Sequence, residues 1–128
     1  MIRPIVKFGE QVLHREAQPV SDISSGIAAL VQDMIETMYA APGVGLAAPQ
    51  VGALDRVIVV QIPEEYEDEP EAGKLFALVN PVITSQSEEV EEGEEGCLSI
   101  PALVGDVERA QKIVVRAQNL KGKSVRIH

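Results

Sequence analysis

The strongest periodic pattern in this chain is a stripe of apolar residues in its first third. Six of them recur at spacings of three and four, the repeat of one helical face: Ile27, Leu30, Val31, Met34, Ile35 and Met38. Polar residues at 21–25 offer several side chains that cap a helix N terminus, and Pro42 with Gly43 stops the pattern. We predict one amphipathic helix over residues 25–40, with its methionines filling core space.

Most of the remaining apolar residues fall in short β-branched runs, which are typical of strands. Five strand segments are predicted: 57–62, 75–79, 82–84, 113–118 and 124–128. Asn80-Pro81 separates segment 75–79 from segment 82–84, because proline is confined to sheet edges and bends. Residues 119–122 form the turn before segment 124–128. Residues 1–20 and 87–95 are expected to be extended, and 63–74 to be a mobile acidic loop. These elements predict an α+β fold with mostly antiparallel strands around one helix.

Composition and charge narrow the class of protein. A chain of 128 residues with 45% hydrophobic residues suits one domain, which we expect to span residues 1–128. Twelve of the 20 acidic residues lie at 64–71 and 88–95, so the net charge of −9 is local, and the rest carries 8 acidic and 11 basic residues. We interpret the acidic runs as a solvated loop and a polar strand face. No basic patch indicates nucleic-acid binding, no apolar run is long enough for a membrane span, and no secretion signal is visible.

Two short stretches contain the residues that could take part in binding or catalysis. Gly43-Val44-Gly45-Leu46-Ala47-Ala48-Pro49-Gln50-Val51-Gly52 is a tight loop with one polar side chain, that of Gln50. Its glycines match a dinucleotide-binding pattern, but that pattern needs a strand before it, and here a helix precedes. The second stretch, Glu95-Gly96-Cys97-Leu98-Ser99-Ile100-Pro101, holds the only cysteine of the sequence, and Pro101 is expected to stop any regular continuation. Cys97 alone is either a small buried apolar residue or a thiolate that binds metal or attacks a carbonyl. One cysteine makes no internal disulfide and fits a reducing cytoplasm.

Together and in this order, GVGLAAPQVG and EGCLSIP resemble the first two of the three signature motifs of the peptide deformylases. The resemblance also covers residues 34–40 and Arg109, and so spans nearly the whole chain. It implies a cytoplasmic enzyme of protein biosynthesis that hydrolyses the formyl group from the N-terminal formylmethionine of nascent polypeptides. The family's metal is usually Fe²⁺, with Zn²⁺, Ni²⁺ or Co²⁺ as substitutes, and one ligand is the motif cysteine, here Cys97.

The resemblance implies roles for other residues of the two stretches. The Gln50 side-chain amide and the Leu98 backbone N–H would stabilise the oxyanion, since donors placed in advance lower the barrier. Four residues would bind substrate, one through its backbone and the others around the methionine side chain: Gly45, Val44, Glu95 and Ile100. From the residues alone we would prefer the plainer interpretations, in which Gln50 caps its loop and the other side chains are core or solvated positions.

The family's third motif, H-E-x-x-H on a helix, does not occur in this sequence. Only His14 and His128 are present, so the activity of the 128-residue chain alone is in question, because one thiolate does not make a catalytic metal site. Three hypotheses follow: a deformylase truncated at its C terminus, which we favour; a non-catalytic relative that binds peptide N termini; and a metal-free cysteine hydrolase using Cys97 with His14. Without the metal-site helix a sheet face would lack its cover, and we expect the chain to pack loosely or self-associate.

Overall fold

The computed structural model describes residues 1–7, 9–21, 23, 25–41, 43–62, 73–97, 99–110, 113–122 and 124–127. These residues form one α-helix, α1 (Ser25–Ala40), and two short 3₁₀ helices, Gln11–His14 and Ala48–Val51. They also form seven strands: β1 (Gly45–Ala47), β2 (Val57–Gln61), β3 (Leu75–Gln86), β4 (Val90–Cys97), β5 (Ile100–Ala110), β6 (Ile113–Gln118) and β7 (Ser124–Ile127). No helix in these ranges is long and apolar enough to cross a membrane. The prediction of an α+β fold is confirmed.

The strands are arranged in two antiparallel groups. One is a five-stranded sheet in the order β1-β2-β3-β6-β7, and the other is the hairpin of β4 with β5. In the larger sheet Val59 of β2 pairs with Ala77 of β3, and Val57 pairs with Val79. Because paired residues point to the same face of a sheet, these apolar side chains form one continuous surface. β1 lies at the edge of this sheet.

Helix α1 covers that apolar surface and closes the core. The core consists of buried residues from the helix, from β1 and the 3₁₀ turn after it, and from β2 and β3: Leu30, Val31, Met34, Met38, Leu46, Ala48, Val57, Val59 and Val79. Met34 and Met38 are both fully buried, which confirms that they fill core space. On the opposite face of the sheet, Ile58, Val60 and Phe76 are only half-buried.

The N-terminal segment is tied to the outer side of α1 by polar contacts. The Arg3 backbone N–H donates to Thr37 Oγ1 at 2.8 Å, and the Thr37 hydroxyl donates to the Asp33 carbonyl at 2.7 Å. The Arg3 Nε donates to Asp33 Oδ2 at 2.9 Å. The Met1 ammonium and the Arg3 guanidinium together hold the pKa of Asp33 below its usual value. These contacts explain why a threonine is buried within an otherwise apolar face of the helix.

Asn80 joins Val20, near the end of this segment, to the sheet. Asn80 lies inside β3 with a φ of 53°, a left-handed conformation that asparagine tolerates better than most residues. Its Oδ1 accepts from the Val20 N–H at 2.7 Å, and its Nδ2 donates to the Val20 carbonyl at 2.8 Å and to Gln118 Oε1 at 3.1 Å. The side-chain amide therefore pairs with Val20 as a neighbouring peptide group would.

Two expectations about local structure are wrong. Asn80-Pro81 does not interrupt β3, because the register against β6 shifts between Val79 and Val82 and absorbs both residues. Pro101 does not stop the chain, because it is the second residue of β5, and strand starts and bulges are positions where proline is tolerated. The expectation of an extended segment at 87–95 is confirmed over most of its length, because β4 begins at Val90 and continues to Cys97.

Candidate active site

The glycine loop folds into β1 followed directly by the 3₁₀ turn Ala48–Val51. Gly52 ends this turn with a φ of 87°, a conformation that glycine adopts without a steric cost. The Gly52 N–H donates to the Pro49 carbonyl at 3.0 Å, and the Ala53 N–H donates to the Ala48 carbonyl at 3.1 Å. The turn places Gln50 beside the end of β1.

Contacts with Val6, Ala47 and Ser99 help to hold Gln50 in place. Its backbone carbonyl accepts from the Val6 N–H at 2.7 Å. Its side-chain Oε1 accepts from the Ala47 N–H at 3.0 Å, and its Nε2 donates to Ser99 Oγ at 3.3 Å. The expectation that Gln50 caps its own loop is therefore confirmed. The cap uses Oε1, so it leaves the chemistry of the Nε2 donor unchanged.

The edge strand β1 presents backbone groups away from the sheet. The Gln61 N–H donates to the Val44 carbonyl at 2.8 Å, and Leu46 lies opposite Val59. In an antiparallel pair, alternate residues direct their N–H and C=O toward the partner strand, so Gly45 and Ala47 direct theirs outward. The Ala47 N–H is bound by Gln50. Gly45 thus offers its backbone at the outer edge, and Val44 before it is 60% exposed.

The second stretch lies at the closed end of the β4–β5 hairpin. Cys97 pairs with Ile100, which leaves two residues in the turn. Ser99 is one of them, and it is only 3% exposed. Leu98 lies outside the described residues, as do the side chains of Cys97 and Ile100. What the structure brings together from the two stretches is therefore Gln50 with Ser99.

Glu95 and Arg109 form a two-point ion pair on this hairpin. Arg109 Nη2 lies 2.9 Å from Glu95 Oε1, and its Nε lies 3.1 Å from Oε2. The strand register places Arg109 opposite Glu91 and Glu95 opposite Gly105, so the arginine reaches along the hairpin past its direct neighbour. The hydrogen bonds from Arg109 hold the pKa of Glu95 below its usual value. Glu95 is thus an ionised, paired carboxylate rather than a solitary solvated acid.

The described residues do not contain a metal site. Within them, no group of three His, Cys, Asp or Glu side chains is placed to hold an ion. His128 lies outside the described residues, and His14 is exposed in the 3₁₀ helix Gln11–His14. The predicted pairing of His14 with Cys97 involves the cysteine side chain, which lies outside the described residues.

Sequence reasoning missed three residues that support the site. Ser99 lies within the second stretch, but its hydroxyl was given no role there. Arg109 belongs to the resemblance without an assigned partner. Val6 acts through its backbone N–H, and nothing in its residue type indicates that role.

Comparison with known proteins finds a family and relatives that match almost the whole chain. The family model described as polypeptide deformylase matches residues 2–128. A peptide deformylase of Symbiobacterium thermophilum is 49% identical over 124 residues, covering 97% of this chain and 54% of that protein. The chain therefore spans about half the length of this relative.

Solved structures agree with this fold. A peptide deformylase from Ehrlichia chaffeensis in complex with actinonin superposes with a TM-score of 0.93 at 36% identity, covering 98% of this chain and 73% of that one. A Met-Ala-Ser-bound class I type b peptide deformylase from Acinetobacter baumannii has a TM-score of 0.89 at 40% identity, covering 99% of this chain and 82% of that one.

Proposed function

This chain belongs to the polypeptide deformylase family, and from that membership we propose that it acts in removing the formyl group from the N-terminal formylmethionine of nascent polypeptides. The observation that carries the proposal is the contact between Gln50 and Ser99. It joins two stretches that lie 49 residues apart in sequence, and the reaction requires groups from both. The proposed setting is the cytoplasm, where new chains emerge and where a lone cysteine stays reduced.

We propose that the substrate peptide pairs with the outer edge of β1. Gly45 directs its N–H and C=O to that edge, as a strand that receives an added peptide must. Gln50 binds the Ala47 N–H at the same edge, two residues further along, which is about 7 Å in a strand. A peptide bonded to Gly45 would therefore present its first residue near the Gln50 amide. The relative bound to Met-Ala-Ser is consistent with such a ligand.

The proposed chemical role of Gln50 is to donate a hydrogen bond from its side-chain amide to the oxyanion formed as the formyl carbon is attacked. The Leu98 backbone N–H is proposed as the second donor. One such donor contributes about 3–4 kcal/mol to lowering the barrier. Val44, Glu95 and Ile100 are proposed to line the pocket for the methionine side chain. The exposure of Val44, at 60%, leaves that side chain accessible to a ligand.

The family's chemistry depends on a metal ion, and Cys97 is the residue of this sequence proposed to bind it. We propose Fe²⁺ as the ion, with Zn²⁺, Ni²⁺ or Co²⁺ as substitutes. A thiolate suits such ions, but one thiolate is not a catalytic site. Among the described residues, no group of three His, Cys, Asp or Glu is placed to hold an ion, so they do not form a complete metal site by themselves.

Two experiments test this function. Sequencing the coding DNA beyond His128 shows whether H-E-x-x-H follows in frame. The protein encoded by that complete reading frame is then assayed for formate release from formyl-Met-Ala-Ser in the presence of Fe²⁺ without oxygen. Gln50→Ala should lower kcat by about 100- to 1,000-fold. Gln32→Ala is the matched control, because Gln32 is an exposed glutamine of α1 that contacts only Glu36 among the hydrogen bonds described.

The outcomes separate the hypotheses. Equal activity of the Gln50→Ala and Gln32→Ala variants would contradict the proposed role of the amide. Peptide binding without formate release, observed as shifts of the Gly45 amide signal on adding Met-Ala-Ser, would favour the non-catalytic interpretation. The comparisons themselves give that interpretation no support, since the relatives reported above are named as deformylases.

A further inference from the structure

Ser99 is a buried polar residue whose hydroxyl contacts the proposed catalytic amide. It is 3% exposed, and Thr37 on α1 is the other buried polar residue among those the structure describes. Ser99 Oγ accepts a hydrogen bond from Gln50 Nε2 at 3.3 Å. A buried hydroxyl without a hydrogen-bond partner destabilises the fold, so the bond from Gln50 offsets the cost of burying Ser99. It links the turn of the β4–β5 hairpin to the 3₁₀ turn after β1.

Two partners of the Gln50 amide, Ala47 and Ser99, constrain its orientation. The Ala47 N–H can only donate, so it requires the side-chain oxygen of Gln50 at its end of the amide. The serine hydroxyl can donate or accept, so it adapts to whichever atom remains, which is Nε2. The Ala47 N–H therefore determines which end of the amide carries Oε1, and Ser99 Oγ determines the position of Nε2. An amide nitrogen carries two hydrogens, and the position of the Ser99 oxygen fixes the direction of both.

We propose that Ser99 is a positioning residue that aims the Gln50 N–H at the developing oxyanion. This inference rests on the function proposed above and assigns a further residue to it. Ser99 itself touches no reacting atom in this scheme, because its hydroxyl acts through Gln50. Oxyanion donors act only when they are fixed in place beforehand, and a misplacement of 1 Å is enough to cost about 100-fold in rate.

The test uses Ser99→Ala and Ser99→Cys in the protein encoded by the complete reading frame. Alanine removes the hydrogen-bond acceptor, whereas cysteine fills the same space but is only a weak acceptor. If the alanine variant fails to fold, the cysteine variant still tests the contact. The control is Thr37→Val, which removes the other buried hydroxyl at nearly constant volume. Thr37 bonds Arg3 and Asp33, so its loss should destabilise the fold without affecting Gln50.

The first measurement is the side-chain amide signal of Gln50 in ¹⁵N–¹H correlation spectra. Both Ser99 variants should shift this signal, and Thr37→Val should leave it in place. A general loss of stability would not produce this difference between the variants. The second measurement is formate release from formyl-Met-Ala-Ser. We expect kcat to fall about 10- to 100-fold in both Ser99 variants with KM little changed. In a Gln50→Ala background, Ser99→Ala should change kcat less than about twofold, since residues acting as one unit are not additive.

Each outcome bears on a different claim. An unmoved Gln50 amide signal in both Ser99 variants would overturn the positioning role, whatever the activity. A moved signal with unchanged kcat would show that the contact is structural only, and would overturn it as well. Absence of formate release from the wild-type protein would overturn the proposed function, and the positioning role would fall with it while the contact itself would still register in the spectra.

Discussion

Replacement of Asn80 tests the link between the N-terminal segment and the sheet. Asn80→Ala removes the three hydrogen bonds that its amide makes to Val20 and Gln118, and it places an ordinary residue at a φ of 53°. Asn80→Gly removes the same three bonds, but glycine adopts this conformation freely. The pair of variants therefore separates the hydrogen bonds from the backbone strain.

The expected size of each effect follows from typical magnitudes. A neutral hydrogen bond contributes about 0.5–1.5 kcal/mol, so the loss of three costs about 1.5–4.5 kcal/mol. A left-handed conformation costs a residue such as alanine about 1–2 kcal/mol more. Asn80→Ala should thus lower the free energy of unfolding by about 3–6 kcal/mol, a large share of the 5–15 kcal/mol usual for a domain. Asn80→Gly should be less damaging, by about 1 kcal/mol or slightly more.

Urea unfolding of the purified variants measures these differences, because the extrapolated free energy reports stability directly. Asn119→Ala provides the control: its Oδ1 bonds the Lys121 N–H at 2.9 Å in an exposed turn, and its replacement should cost about 1 kcal/mol or less. If Asn80→Ala were as mild as Asn119→Ala, the Asn80 amide would not be holding Val20 to the sheet. If the glycine and alanine variants were equally stable, the strain argument would be wrong.

Three further predictions follow from the site and the sheet. Arg109→Ala should raise the pKa of Glu95 toward its usual value, which NMR titration measures. Because the pKa of Glu95 is lowered in the folded state, this ion pair stabilises the fold above the unfolded pKa, and the stabilisation is lost as the pH falls through the folded pKa. It also weakens with added salt, because both side chains are exposed. Cys97→Ala should abolish metal retention by the protein from the complete reading frame while its melting transition persists, and near-normal deformylation by that variant would exclude the proposed ligand role. The 128-residue chain alone should self-associate through the exposed apolar side chains of β3 and β6, and light scattering that shows a monomer at every concentration would refute this.

Elements with strong periodicity were predictable from the sequence. The helix lies at Ser25–Ala40 as expected, and β2, β6 and β7 match the predicted runs to within one residue. β5 was not predicted, because its 11 residues include proline, glycine and three charged side chains, and it pairs with β4 in the structure. Continuity through Asn80 and Pro81 was missed for a similar reason: it depends on a register shift against β6, and register is a property of two strands.

The anchoring of Gln50 shows why a site is harder to predict than its residue types. Two of its anchors are the backbone N–H groups of Val6 and Ala47. Every residue except proline carries such a group, so no choice of side chain at those positions indicates the role. Ser99 acts through its side chain, and its contact spans 49 residues of sequence. A substitution can remove the Ser99 anchor alone, whereas the Ala47 anchor disappears only with a proline, which would also alter β1. The orientation of the Gln50 amide is thus set by the fold, and its fine position depends on the Ser99 anchor, which mutation can test.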